Sequence, residues 1–169
     1  QSWSIALDFV DDSLLAVGDQ AGTLQLIDAR SGRTVSSCKA DAAVNAVRSL
    51  GGARVLAGGP IVLWNLRSCV KERSFSAPGG VTALTSDSRH QTLASAHMRG
   101  VVYRWSMTNG ALLDSLVSER PASIAGRRHP VTDSVRVPIS AVAIAPDAQV
   151  TVYGDARANI RIHGVSGAV

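Results

Sequence analysis

Leu14-Leu15-Ala16-Val17-Gly18-Asp19-Gln20-Ala21-Gly22-Thr23-Leu24-Gln25-Leu26-Ile27-Asp28 decides the fold. Two short runs rich in apolar residues flank a polar stretch that ends in glycine. The second run alternates apolar with polar side chains, the period-2 signature of a strand with one buried face. Working outward, Ser4 to Leu7 supplies an earlier run and Asp11-Asp12-Ser13 an acidic turn, while Ser31-Gly32 and Thr34-Val35 open a fourth run. The unit is therefore four short strands joined by turns.

The same order returns three times. It reappears at Val44 to Leu50, Arg54 to Gly58, Ile61 to Asn65 and Val70 to Phe75, and then at Val81 to Thr85, Thr92 to Ser95, Val101 to Ser106 and Leu112 to Leu116. A fourth copy runs through Ile139 to Ala145, Val150 to Gly154 and Asn159 to His163. Third strands end at Ile27, Trp64, Trp105 and His163, a period of roughly 40 residues typical of stacked four-stranded sheets, with a longer last interval that holds an insertion. Turn chemistry repeats as well. Asp12-Ser13, Gly51-Gly52, Asp87-Ser88 and Pro146-Asp147 stand between first and second strands, and Gly32, Gly110 and Gly167 follow third strands where a positive φ suits a hairpin.

On the run Gly18 to Asp28, on Leu63-Trp64-Asn65 and Tyr103-Arg104-Trp105-Ser106, and on Ser86-Asp87 through Thr92-Leu93-Ala94-Ser95, the chain resembles the WD-repeat family of β-propellers. The resemblance implies an all-β propeller of four-stranded antiparallel blades, with about four blades present as part of a seven- or eight-bladed ring. The blades would span about 2–38, 44–75, 81–116 and 139–169 of a single partial propeller, with an insertion loop at 117–138. It makes Trp64, Trp105, Ile27 and His163 the anchors between blades. This chain departs from the family in lacking a Gly-His dipeptide before each first strand, and in placing Ala21, Arg99 and Arg157 where the turn aspartate would stand. The polar tetrad of a well-formed blade is thus expected to be absent, and apolar packing to hold the blades alone.

Composition agrees with a packed domain. The chain has 169 residues, 46% of them hydrophobic, and a net charge of +4 carried mainly by arginine and aspartate. No apolar run reaches the roughly 18 residues of a membrane helix, so a membrane partner is not expected. The scarcity of lysine and glutamate removes support for long surface helices. Cys38 and Cys69 have no metal-ligand or C-x-x-C spacing and read as buried apolar thiols, which points to an intracellular, reducing compartment.

Chemistry is sparse. His90, His97, His129 and His163 are isolated from one another in sequence, no G-x-S-x-G or Walker-type loop occurs, and Asp11-Asp12 sits in a turn. No catalytic residue, metal site, cofactor or small-molecule substrate is expected. The strongest local candidate for a contact is the insertion, where Arg120, Arg127, Arg128, His129 and Arg136 form a basic cluster among prolines. The leading functional reading is a non-catalytic protein-interaction scaffold in a multi-protein or ribonucleoprotein assembly, whose partners include the segment that completes the ring. A second reading makes the basic loop an RNA contact. A third notes that Leu26 to Val35 is similar to the repeat turn of quinone-dependent dehydrogenase propellers, though the tryptophan those repeats place in the fourth strand is missing.

Overall fold

The computed structural model describes residues 4–120 and 135–164, and among them every regular element is a β-strand. The first blade is β1 (Ser4–Phe9), β2 (Leu14–Asp19), β3 (Thr23–Asp28) and β4 (Thr34–Lys39); the second is β5 (Ala46–Ser49), β6 (Arg54–Gly58), β7 (Ile61–Asn65) and β8 (Val70–Phe75). The third is β9 (Val81–Ser86), β10 (Thr92–His97), β11 (Val101–Ser106) and β12 (Leu112–Val117). A small pair, β13 (Glu119–Arg120) with β14 (Val135–Arg136), precedes the fourth blade, β15 (Ile139–Ile144), β16 (Val150–Asp155) and β17 (Ile160–Gly164). Each sheet is a meander whose neighbours in sequence pair antiparallel, four strands deep in the first three blades and three described strands in the last.

Consecutive blades lie face to face, with first strands adjacent: β1 packs on β5, β5 on β9 and β9 on β15. Because side chains alternate across a sheet, each blade offers one face to the blade before it and the other to the blade after it. At the first junction Leu14, Ala16, Leu24 and Leu26 meet Val55, Ala57, Val62 and Trp64; at the second Leu56, Ile61 and Leu63 meet Leu93 and Trp105. At the third Ala94, Ala96 and Val102 meet Ile139 and Tyr153. Burying branched apolar side chains on both faces of the middle blades explains why β6 and β7 read as unbroken apolar runs rather than alternating ones.

Of the four expected anchors, Trp64 and Trp105 are 3% and 4% exposed, and Trp105 meets Phe75 of the preceding blade edge to face with ring centroids 5.9 Å apart. Ile27 is only partly buried and His163 is exposed, although pairing with Leu15 and Thr151 puts them at the matching register position.

Three features differ from the sequence reading. Cys38 and Cys69 are not free thiols but a disulfide, in which buried Cys38 of β4 is joined to exposed Cys69 of the β7–β8 turn, tying the first blade to the second. Bridged in this way, the two cysteines no longer point to a reducing compartment. The third blade, moreover, is held by more than apolar packing. Trp105 Nε1 donates to Ser95 Oγ at 3.3 Å, Ser95 Oγ lies 2.9 Å from His97 Nε2, and His97 Nδ1 lies 3.3 Å from the Gly79 carbonyl. Ser95 and His97 are fully buried, and His97 stacks edge-on against Tyr103 at 5.0 Å. Histidine reaches this network from the end of β10 rather than from a dipeptide before the first strand. Finally, the insertion is not bare of strands, since Glu119 pairs with Arg136 and Arg120 with Val135 where it leaves and rejoins the blades.

Candidate functional site

Alternating strand direction sorts the turns into two ends. Turns after first and third strands share one end; turns after second strands and the links between blades share the other. The insertion between β12 and β15 therefore emerges beside the β10–β11 turn, which holds Arg99, and the β16–β17 turn, which holds Arg157. Both arginines are exposed, as is Arg136 on β14.

The root of the insertion is fixed by hydrogen bonds. Ser118 N donates to the Gly100 carbonyl at 2.8 Å, Val137 N to the Ser118 carbonyl at 3.3 Å, and Ala156 N to the Pro138 carbonyl at 2.9 Å. Gly100 is required here, because its φ is +71° and an added Cβ would stand 2.6 Å from the Val137 carbonyl oxygen. Asp155, buried at the end of β16, organises the adjoining turn. Its Oδ1 accepts from Arg157 N at 2.9 Å and Asn159 N at 3.1 Å, Asn159 Nδ2 donates to both carboxylate oxygens at 3.0 Å, and Ser118 Oγ lies 3.2 Å from Oδ2. Burial would raise the Asp155 pKa, but these donors outweigh it and hold the carboxyl below its ordinary range. A carboxylate thus locks the root of the insertion to the fourth blade.

Of the basic cluster read from the sequence, Arg136 is exposed on this rim, the Arg120 backbone pairs with Val135, and Arg127, Arg128 and His129 lie outside the described residues. Arg99 and Arg157, far from that cluster in sequence, join it only in the fold. Their signal was present, since both occupy the same position of equivalent turns.

At the opposite end, Asp87, Ser88, Arg89, Gln91, Pro146 and Asp147 line a cleft of about 340 Å³ between the third and fourth blades. Two of its polar side chains are engaged within the fold: Asp87 Oδ1 accepts from Gln91 N at 2.7 Å and Thr92 N at 2.8 Å, and Ser88 Oγ donates to the Pro146 carbonyl at 2.8 Å. The run Leu26 to Val35 has a structural account as well. Asp28 Oδ1 accepts from Ser31 N, Ser31 Oγ and Arg30 N, bonds that hold the carboxyl below its ordinary pKa and form a hairpin turn that Asn65 repeats with Arg67 N and Ser68 N. Among the described residues no three His, Cys, Asp or Glu side chains gather closely enough to hold a metal ion.

No protein-family model matches the sequence, and no curated protein matches it. Solved structures do. The computationally designed Ika4 protein is 18% identical with a TM-score of 0.75, over 98% of this chain and 93% of that one. The computationally designed Ika8 protein is 17% identical with a TM-score of 0.72, over 96% of this chain and 46% of that one. A chain of the mitotic checkpoint complex is 16% identical with a TM-score of 0.78, over 96% of this chain and 48% of that one. The chain thus spans about half the length of two of these three. At such identities the likeness is one of fold, and with the antiparallel meanders stacked face to face it identifies the chain as a run of β-propeller blades.

Proposed function

We propose that this chain is a non-catalytic interaction scaffold, a subunit of a multi-protein or ribonucleoprotein assembly of the kind WD-repeat propellers serve. The observation that carries this reading is the fixed root of the insertion. Ser118, Gly100, Val137, Pro138 and Asp155 tie both ends of segment 121–134 to two blades, beside exposed Arg99, Arg136 and Arg157. Fixed flanking residues hold the rim in place for a partner, so less conformational entropy is lost there on binding. The arginines on this rim and the net charge of +4 favour a partner with an acidic surface.

A second reading, RNA, draws on the same three arginines. The two separate by salt and nuclease. Affinity purification with the wild-type chain and with an Arg99→Glu/Arg136→Glu/Arg157→Glu variant should recover a partner with the first and lose it with the second. Protein capture that resists nuclease supports the scaffold, whereas capture abolished by nuclease and falling steeply between 50 and 200 mM salt, as released counterions require, supports RNA. Equal capture by wild type and variant would remove this rim from consideration. The compartment follows from thiol chemistry: a closed Cys38–Cys69 bridge in protein isolated from its source assigns an oxidising compartment, and two thiols an intracellular one.

A further inference from the structure

The first two junctions set equivalent tryptophans in different surroundings. Trp64 pairs with Val55 and packs against the first blade, as Trp105 pairs with Leu93 and packs against the second. Two residues beyond Leu93, Ser95 gives Trp105 Nε1 an acceptor at 3.3 Å, and two further on His97 Nε2 lies 2.9 Å from the same hydroxyl. The matching residues of the second blade are Ala57, which pairs with Val47 as Ser95 does with Leu84, and Gly59. Neither brings a polar side chain. Trp64 is 3% exposed, and among the described residues its Nε1 has no hydrogen-bond partner.

In the second blade, the place that Ser95 and His97 fill in the third is taken partly by backbone and partly by open space. An added Cβ at Gly59 would collide with the Ala43 carbonyl oxygen, so the link between the first two blades is drawn in where the imidazole stands at the next junction. Beside it lies a small cavity. Ala57, Gly59, Val62 and Trp64 wall it on the second blade, and Ala43 and Val44 on the link. It gives the centre of a water molecule about 10 Å³ of room, enough for one molecule and too little for a larger ligand.

We propose that this cavity is a binding site for one structural water, which accepts from Trp64 Nε1 and donates to the Ala43 carbonyl. Two arguments select water over a dry void. An indole N–H shut away from solvent without an acceptor loses its hydration with nothing in exchange. An apolar cavity of such a size stays dry because it offers water nothing to bond, whereas Trp64 and Ala43 bring a donor and an acceptor to this one. A water bridging two protein groups serves each nearly as well as a direct bond. Solvent thus supplies at the first junction the acceptor that the Ser95 hydroxyl supplies at the second.

A crystal structure of this chain, at a resolution that shows ordered solvent, tests the site on the wild type. One water peak should stand within hydrogen-bond distance of both Trp64 Nε1 and the Ala43 carbonyl oxygen. In solution, nuclear Overhauser transfer from water to the Trp64 indole proton should carry the sign of a long-lived, buried molecule. An empty cavity, an indole turned to bond a protein atom, or the absence of that transfer overturns the proposal. Two variants test the chemistry of the site. Ala57→Ser adds a hydroxyl in the register of Ser95 and should expel the water, and a water that persists unchanged beside that hydroxyl overturns its assigned position. Ala57→Val fills the same space without an acceptor and strands Trp64 Nε1, so its urea midpoint should fall. A midpoint that stays or rises is the result of filling an empty void and overturns the proposal equally.

Discussion

Opening the Cys38–Cys69 bridge should destabilise the fold by about 3 to 4 kcal/mol. The bridged residues are 31 apart in sequence, and the entropy of closing a loop in the unfolded chain gives roughly 3 kcal/mol for 15 residues and about 4.7 for 100, which brackets this one. Cys69→Ser is the cleaner perturbation, because Cys69 is exposed whereas Cys38 is packed in the core between the first two blades and stays in place. Cys69 also has a φ of +56°, a strain that serine inherits unchanged. For a domain of this size each kcal/mol moves Tm by roughly 2 to 4 °C, so the variant should melt about 6 to 16 °C below the oxidised wild type. Urea unfolding followed by circular dichroism, at one protein concentration with and without a phosphine reductant, measures the difference directly. Reduced wild type and Cys69→Ser should then coincide. Two titratable thiols in the unreduced folded protein, or a difference under about 1 kcal/mol, would refute the reasoning.

Gly58→Val should be destabilising by about 1 to 3 kcal/mol, because its Cβ would lie 2.7 Å from Val81 Cγ1 and 3.1 Å from Val81 Cβ in a packed junction; urea midpoints would show it. Removing the Ser95 hydroxyl with Ser95→Ala strips the partner from buried Trp105 Nε1 and His97 Nε2 and should cost about 1 to 3 kcal/mol, whereas an unchanged midpoint would mean that the network adds nothing. Burial lowers the His97 pKa from its ordinary value of 6.5, against the opposing pull of the Gly79 carbonyl. The unfolded chain therefore takes up this proton first, and the histidine's contribution is complete above about pH 6.5 and lost as pH falls toward the folded value. Melting temperature should drop between pH 7 and 5 in the wild type and less steeply in His97→Asn. The aspartates held low, Asp11, Asp28 and Asp155, act in the same direction but at lower pH, so the two windows separate.

Strand order was legible because its signals are local. Alternation in Thr23 to Asp28, glycine at Gly32 and Gly110, and tryptophan at Trp64 and Trp105 each follow from a few adjacent residues and the backbone conformation they favour. The rim was half legible. Arg136 announced itself by clustering in sequence, while Arg99 and Arg157 join it only because antiparallel pairing brings their turns to the same end.

What the sequence by itself determined is the unit: four short strands, their turns and their repetition, since period and turn chemistry act within a blade. Stacking decided the rest. The disulfide needs β4 of one blade beside the β7–β8 turn of the next, and the Trp105–Ser95–His97 network needs β10 and β11 in register, with Gly79 brought alongside from before β9. Gly18 and Gly154 show the difference most directly. Each is followed by aspartate and pairs with an alanine of the first strand, yet Val44 and Val47 cover one, while no described residue comes within 4 Å of a Cβ added at the other. Burial is a property of the neighbouring surface, and no stretch of a blade's own residues can encode whether that neighbour is present.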